Sequence, residues 1–218
     1  MIASNGSLAG VYVVTDGTML PGRTHIEIAE ACVAAGAGCV QLREKNLPDR
    51  DVFELAIAIR RMTEYTKTIF IVNNRADIAV ACGADGLHVG QDDLSAAVAR
   101  KIIGPDAILG VSALSVEDAV RAEADGADYV APGPIFATAS KSDAGPVMGL
   151  ASIREIKQAV NIPVVAIGGI GLANIAEISE AGAESAAVIS AVVCAPDMAD
   201  AIRVLQTEFQ RGKSLVRK

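Results

Sequence analysis

AAGAGCV (Ala34–Val40), ACGADGL (Ala81–Leu87), EADGADYV (Glu123–Val130) and EAGAESAAV (Glu180–Val188) are four versions of one phrase. Each carries alanine-rich helical sequence to a glycine, the residue that takes the left-handed conformation closing a helix, and then runs into apolar, strand-forming sequence. Helix end, turn and strand start are written as a unit, and the unit recurs. Such a recurrence marks a β/α module repeated along the chain.

Working outward from these phrases, the short apolar runs read as eight strands: GVYVVT near Val11, CVQLR near Val40, TIFIVN near Ile71, DGLHV near Leu87, AILGVS near Leu109, DYVAPG near Val130, PVVAIGG near Val165 and SAAVIS near Val188. Amphipathic stretches such as HIEIAEACVAAG, DVFELAIAIRRM, SVEDAVRAEADG and LANIAEISEAG supply the helices between them. Eight modules with short loops and strands buried on both faces fit a closed (β/α)8 TIM barrel better than an open doubly wound sheet. The whole chain, 1–218, is expected to form that single domain, with residues 1–9 and 212–218 fraying.

Composition agrees. The chain is 51% hydrophobic but only 3% aromatic, with no Trp, so its core is built from Val, Ile, Leu and Ala, as buried parallel strands and their covering helices require. Cys32, Cys39, Cys82 and Cys194 form no CxxC pair and are too few for a disulfide framework. MIASNGSL lacks the basic and apolar segments of a signal peptide, and no apolar run spans a bilayer, so a soluble, cytoplasmic protein without membrane association is expected. A net charge of −7 with scattered Lys and Arg argues against nucleic acid. Homo-oligomer formation is left open.

In such barrels chemistry sits where strands end, and the polar residues gather there. Thr15 and Asp16 follow the first strand, Gln41 to Lys45 the second, Asn73 and Asn74 the third, Gly90 to Asp93 the fourth, and Ser112 closes the fifth. Thr138, Ser140 and Lys141 follow the sixth, Gly168 and Gly169 the seventh, and Ser190 the eighth. In QLREK, Gln41, Arg43 and Lys45 alternate, so their side chains leave on one face and can converge in the barrel mouth, where two cations suit a diphosphate; an ordinary charged loop start is the alternative. Asp92 and Asp93 either cap the helix LSAAVARKI or offer a carboxylate to Mg2+. GGIG is read as backbone N–H groups at a helix N-terminus, where barrel phosphate sites recur. His25 and His88 are given no catalytic role. No Ser-His-Asp set, zinc spacing or dinucleotide fingerprint is present.

QLREK, Asn73, LHVGQDD, GVS, GPIFATASK, VAIGGI and VIS, in that order and spacing, resemble the thiamine-phosphate synthase (thiamine-phosphate pyrophosphorylase) family from about Gly10 to Ser190. The resemblance implies a (β/α)8 transferase. It would join 4-amino-5-hydroxymethylpyrimidine diphosphate to a thiazole phosphate, giving thiamine monophosphate and diphosphate with Mg2+ as cofactor. It further implies that Gln41, Leu42, Arg43, Glu44, Lys45 and Asn73 hold the pyrimidine diphosphate, with Ser112 on the pyrimidine side. Thr138, Ala139 and Ser140 would meet the thiazole phosphate, Lys141 the diphosphate, and Gly168, Gly169, Ile189 and Ser190 the thiazole's phosphate group. Arg43, Lys45, Ser112 and Lys141 would carry catalysis, and Asn74 and Asp93 the metal. The family commonly has Asp where Asn74 stands, so a weaker Mg2+ site is expected; Ser140 replaces a usual Thr and keeps the hydroxyl. GPIFATASKSDAG is then expected to be a mobile loop that supplies hydroxyls and a cation and seals out water. The rivals are a thiazole tautomerase of the same barrel type, whose catalytic His would fall at Pro134, and a non-catalytic thiamine- or phosphate-binding barrel.

Overall fold

The computed structural model describes residues 8–138, 140 and 145–216. All eight expected strands form: β1 (Gly10–Val14), β2 (Cys39–Leu42), β3 (Ile69–Asn73), β4 (Gly86–Val89), β5 (Ile108–Ala113), β6 (Tyr129–Pro132), β7 (Val165–Ile167) and β8 (Ser185–Val188). They pair in parallel in the order β6-β5-β4-β3-β2-β1-β8-β7. The Val130–Val164 bridge joins β6 to the start of β7, with Val130 N donating to Pro163 O at 3.0 Å, and so closes the barrel.

Helices alternate with the strands: α1 (His25–Ala35), α2 (Asp49–Thr63), α3 (Ala76–Cys82), α4 (Ala96–Ile103), α5 (Val116–Ala124), α6 (Gly149–Ala159) and α7 (Ile175–Glu180). After β8 come a short α8 (Ser190–Val193) and a long α9 (Met198–Val216). None of the described helices is long and apolar enough to cross a membrane.

The repeated phrase performs the turn its glycines imply. Gly36 and Gly83 cap α1 and α3 in the left-handed region at φ 67° and 66°. The acid just before β4, β6 and β8 does more than turn the chain. Asp85, Asp128 and Glu184 accept the backbone N–H of Phe70, Leu109 and Val164 at 2.8, 2.7 and 2.8 Å, each at the start of the preceding strand. Each also pairs with a helix cation, Arg60, Arg100 or Lys157. The N-terminal end of the barrel is thereby stapled at three places, leaving the opposite rim to chemistry.

One departure from expectation lies in the tail. Residues 212–216, expected to fray, continue α9, whose Ile202, Leu205 and Phe209 form a buried stripe. Gly212 lets that helix press against α7, because a Cβ there would lie 2.2 Å from Ala176 O and Ser179 Oγ.

Candidate active site

One pocket opens at the C-terminal rim, lined by residues from the ends of β2 to β8, including Arg43, Lys45, Asn73, Asn74, Asp93 and Ser112 on one side and Thr138, Ser140, Gly168, Gly169, Ile189 and Ser190 on the other. Ala139 and Lys141 lie outside the described residues. Gln41, Leu42 and Glu44 are not on the lining. The alternation of β2 turns Leu42 into the core at 1% exposure, and Gln41 into the barrel interior, where its Nε2 donates to Tyr12 Oη at 2.6 Å. Glu44 is committed to structure. It accepts from Asn46 N at 2.5 Å and Leu47 N at 3.2 Å and sits 2.9 Å from His25 Nε2.

Arg43 is held by a residue whose strand-end position was its only signal. Asp16 Oδ2 accepts from Arg43 Nη1 at 3.1 Å, while Asp16 Oδ1 takes Thr18 N, Thr18 Oγ1 and Met19 N at 2.9, 2.8 and 3.0 Å. Burial pushes the Asp16 carboxyl up, but the Thr18 bonds, Arg43 and Met19 N outweigh it and leave the group below the usual carboxylate range. Glu44 is lowered in the same manner, burial being overcome by Asn46 N, His25 and Leu47 N. Thr15 Oγ1 accepts from Arg43 N at 3.2 Å and lies 2.7 Å from His25 Nδ1, so His25 ties the ends of β1 and β2 together as a structural residue.

Asp93 does not cap α4. Ser95 is the N-cap residue, and Asp93 Oδ2 instead accepts Gly90 N at 2.7 Å, closing the turn after β4. Its Oδ1 accepts Asn74 Nδ2 at 2.7 Å. Asn74 is the one non-glycine among the described residues with positive φ, at 63°, a conformation Asn tolerates through its short polar side chain. No group of three His, Cys, Asp or Glu side chains that could hold a metal occurs among the described residues.

The glycine side of the rim is built differently. GGIG does not open a helix, since α7 begins at Ile175, and Asn174 pins the intervening turn by accepting Gly171 N at 2.8 Å and donating to Gly169 O at 3.0 Å. Gly168 (φ 101°) and Gly169 (φ 64°) pack directly on the loop after β6: a Cβ would lie 2.5 Å from Pro134 Cα and 2.5 Å from Ala137 O. Ile135 N and Phe136 N donate to Ile167 O and Gly168 O at 2.9 and 3.0 Å, joining the two loops. The glycines are therefore required by loop packing as well as by any close approach of a ligand.

Fold and rim together define a (β/α)8 barrel whose mouth gathers Arg43, Lys45, Asp92 and Asp93 on one side and the Gly168–Gly169 loop with Thr138, Ser140 and Ser190 on the other. Comparison with known proteins agrees. A family model described as Thiamine monophosphate synthase matches residues 11–192. Thiamine-phosphate synthase from Methanoculleus marisnigri is 51% identical over 204 residues, covering 94% of this chain and 97% of its own. The Moorella thermoacetica enzyme of the same name is 50% identical over 203 residues, 93% and 97% of the two chains. The structure of thiamine phosphate pyrophosphorylase from Pyrococcus furiosus superposes with a TM-score of 0.86 at 38% identity, over 94% of this chain and 96% of that one. The chain belongs to the thiamine-phosphate synthase family, and with it to the transferases of thiamine biosynthesis.

Proposed function

We propose that the protein condenses 4-amino-5-hydroxymethylpyrimidine diphosphate with 4-methyl-5-(2-phosphooxyethyl)thiazole or its carboxylate, giving thiamine monophosphate and diphosphate in the cytoplasm. The observation that carries this reading is the convergence of Arg43, Lys45, Asn74, Asp93 and Ser112 from four different strand ends on one pocket that also reaches Gly169 and Ser190. Arg43 and Lys45 hold the diphosphate, with Lys141 as a third cation. Gly168, Gly169, Ile189 and Ser190 receive the thiazole's phosphate group, and Thr138 and Ser140 meet the thiazole phosphate substrate. The methylene–oxygen bond breaks with its electron pair leaving on the diphosphate, the aminopyrimidine carries the resulting positive charge, and the thiazole nitrogen then supplies the pair for the new C–N bond. No protein nucleophile takes part. The residues position two substrates and stabilise charge on the leaving group.

The donor set fits Mg2+, a cation that takes oxygen ligands and commonly one or two carboxylates plus substrate phosphates. Asp93 would be its carboxylate and the Asn74 carbonyl oxygen a neutral ligand. When bound, the ion would neutralise developing charge on the diphosphate. With one carboxylate, the site suits an ion that arrives with the substrate.

The thiazole tautomerase reading is weaker. The buried Pro134 stands near where that reading needs a histidine, and His88, the histidine on the lining, has both ring nitrogens in hydrogen bonds. The test is to incubate the purified protein with both substrates and Mg2+ and to follow thiamine phosphate and diphosphate. Equal amounts of the two are expected. Conversion of a thiazole isomer without coupling, or ligand binding without turnover, would replace the proposal by the tautomerase or the binding protein respectively.

A further inference from the structure

Beneath the pocket a continuous line of side-chain hydrogen bonds crosses the barrel. Gln41 Nε2 donates to Tyr12 Oη at 2.6 Å, Tyr12 Oη lies 2.9 Å from Tyr129 Oη, Tyr129 Oη 2.9 Å from His88 Nδ1, and His88 Nε2 3.0 Å from Ser112 Oγ. The five residues come from β2, β1, β6, β4 and β5, so the line holds only when the whole barrel is assembled. Gln41, Tyr12, Tyr129 and His88 are buried, at 4%, 1%, 0% and 8% exposure.

Barrel interiors are ordinarily filled by branched apolar side chains, and polar groups placed there must satisfy one another at a desolvation cost. The sequence also makes room for this line at the expense of packing. β5 carries Gly110 where a Cβ would lie 2.0 Å from Tyr129 Cζ and 2.2 Å from its hydroxyl. The line ends at Ser112, which reaches the pocket lining.

Of the two directions open to the hydroxyls and to His88, one uses every group of the line once and starts from the Gln41 donor. In that direction the Gln41 amide donates to Tyr12, the Tyr12 proton is passed toward Tyr129 and the Tyr129 proton toward His88 Nδ1. His88 is then the neutral tautomer with its proton on Nε2, directed at Ser112 Oγ. Ser112 Oγ then accepts from His88 and keeps its own proton to donate. We infer that Tyr12, Tyr129 and His88 are positioning residues that present the Ser112 hydroxyl to the bound pyrimidine as a hydrogen-bond donor, matched to an acceptor nitrogen of the ring. This rests on the assignment of the pyrimidine to the Ser112 side of the pocket.

Two measurements test it. The first is the tautomer of His88 in the isotope-labelled full-length protein by NMR, the chain's two histidines being told apart with a His25→Gln variant. The proton is expected on Nε2; a proton on Nδ1 overturns the direction whether or not the enzyme couples its substrates. The second is steady-state kinetics of Tyr129→Phe, Ser112→Ala and the double variant. Tyr129→Phe should raise KM for the pyrimidine diphosphate about 10-fold, the scale of one neutral hydrogen bond, with KM for the thiazole phosphate held within about 2-fold. The double variant should be no worse than Ser112→Ala alone, as expected when one residue acts through the other. A purely structural tyrosine would lower the active fraction for both substrates and add to Ser112→Ala, which would sink the proposal. Should Tyr129→Phe fail to fold, Tyr12→Phe breaks the same line one bond earlier, and its kinetics are judged by the same criteria. Absence of coupling by the wild type would instead count against the reaction itself and leave the tautomer result to stand alone.

Discussion

The two halves of the rim are built from different material. On the β2 to β5 side, the pocket is lined by Arg43, Lys45, Asn74, Asp93 and Ser112, with Arg43 bonded to Asp16, Asn74 to Asp93, Asp93 to Gly90 and Ser112 to His88. On the β6 to β8 side, beside Thr138, Ser140 and Ser190, the backbone itself comes to the surface at Gly168 and Gly169, pressed onto the loop after β6. Side chains can be tuned one at a time, whereas a backbone surface is specified by what cannot be present, namely a Cβ. The halves should therefore fail differently when altered.

The largest effect is expected on the side-chain half. Arg43→Ala should lower kcat/KM by about 100- to 1,000-fold, on the scale of losing one preorganised charge-stabilising donor, while leaving the fold intact. Arg43→Lys should recover little of it, because Asp16 and a diphosphate both use the planar fork. Steady-state kinetics beside a thermal melt separates the two contributions.

On the backbone half, Gly169→Ala places a Cβ 2.5 Å from Ala137 O at φ 64°. It should destabilise by about 1–3 kcal/mol in denaturant unfolding and raise KM for the thiazole phosphate with the pyrimidine diphosphate spared. Selective loss of the pyrimidine substrate would break the comparison.

A smaller effect is expected at the metal. Asn74→Asp sets a second carboxylate against Asp93 where an amide now donates at 2.7 Å. Without Mg2+ the variant should melt lower than wild type, and added Mg2+ should raise its Tm more, by an affinity gain of about 10-fold or roughly 1.4 kcal/mol. Equal Mg2+ responses would mean that this position does not meet the ion.

The smallest concerns pH. Asp16 and Glu44 have lowered carboxyl pKa values in the folded chain, so their stabilisation is present above the unfolded carboxylate values, near ~4, and is lost as pH falls through the lower folded values. Asp16→Asn should lower stability at neutral pH, where the carboxylate's contribution is fully present, and flatten the acid limb below about pH 4, where the variant and wild type converge.

The fold was legible because the repeat writes helix end, glycine and strand start in one phrase. The side-chain half of the rim was equally open, since Arg43, Lys45 and Asp93 announce charge at strand ends. Gln41 and Glu44 were misplaced because alternation fixes which face a residue leaves from, not whether a buried phenol or His25 is waiting there. The Tyr12–Tyr129 pair carries no local signal at all: the two are brought within 2.9 Å only by closure of the barrel. In the same way, nothing local marks Asp85, Asp128 and Glu184, whose bonds to Phe70, Leu109 and Val164 need the neighbouring strand.

The division of the rim is tested most directly by calorimetric titration of Arg43→Ala, once with diphosphate and Mg2+ and once with the thiazole phosphate. Diphosphate affinity should fall about 100-fold, or roughly 2.8 kcal/mol, and thiazole phosphate affinity should stay within about 2-fold of wild type. A comparable loss for both ligands would mean that the two halves are one anion site, contradicting the separation proposed here.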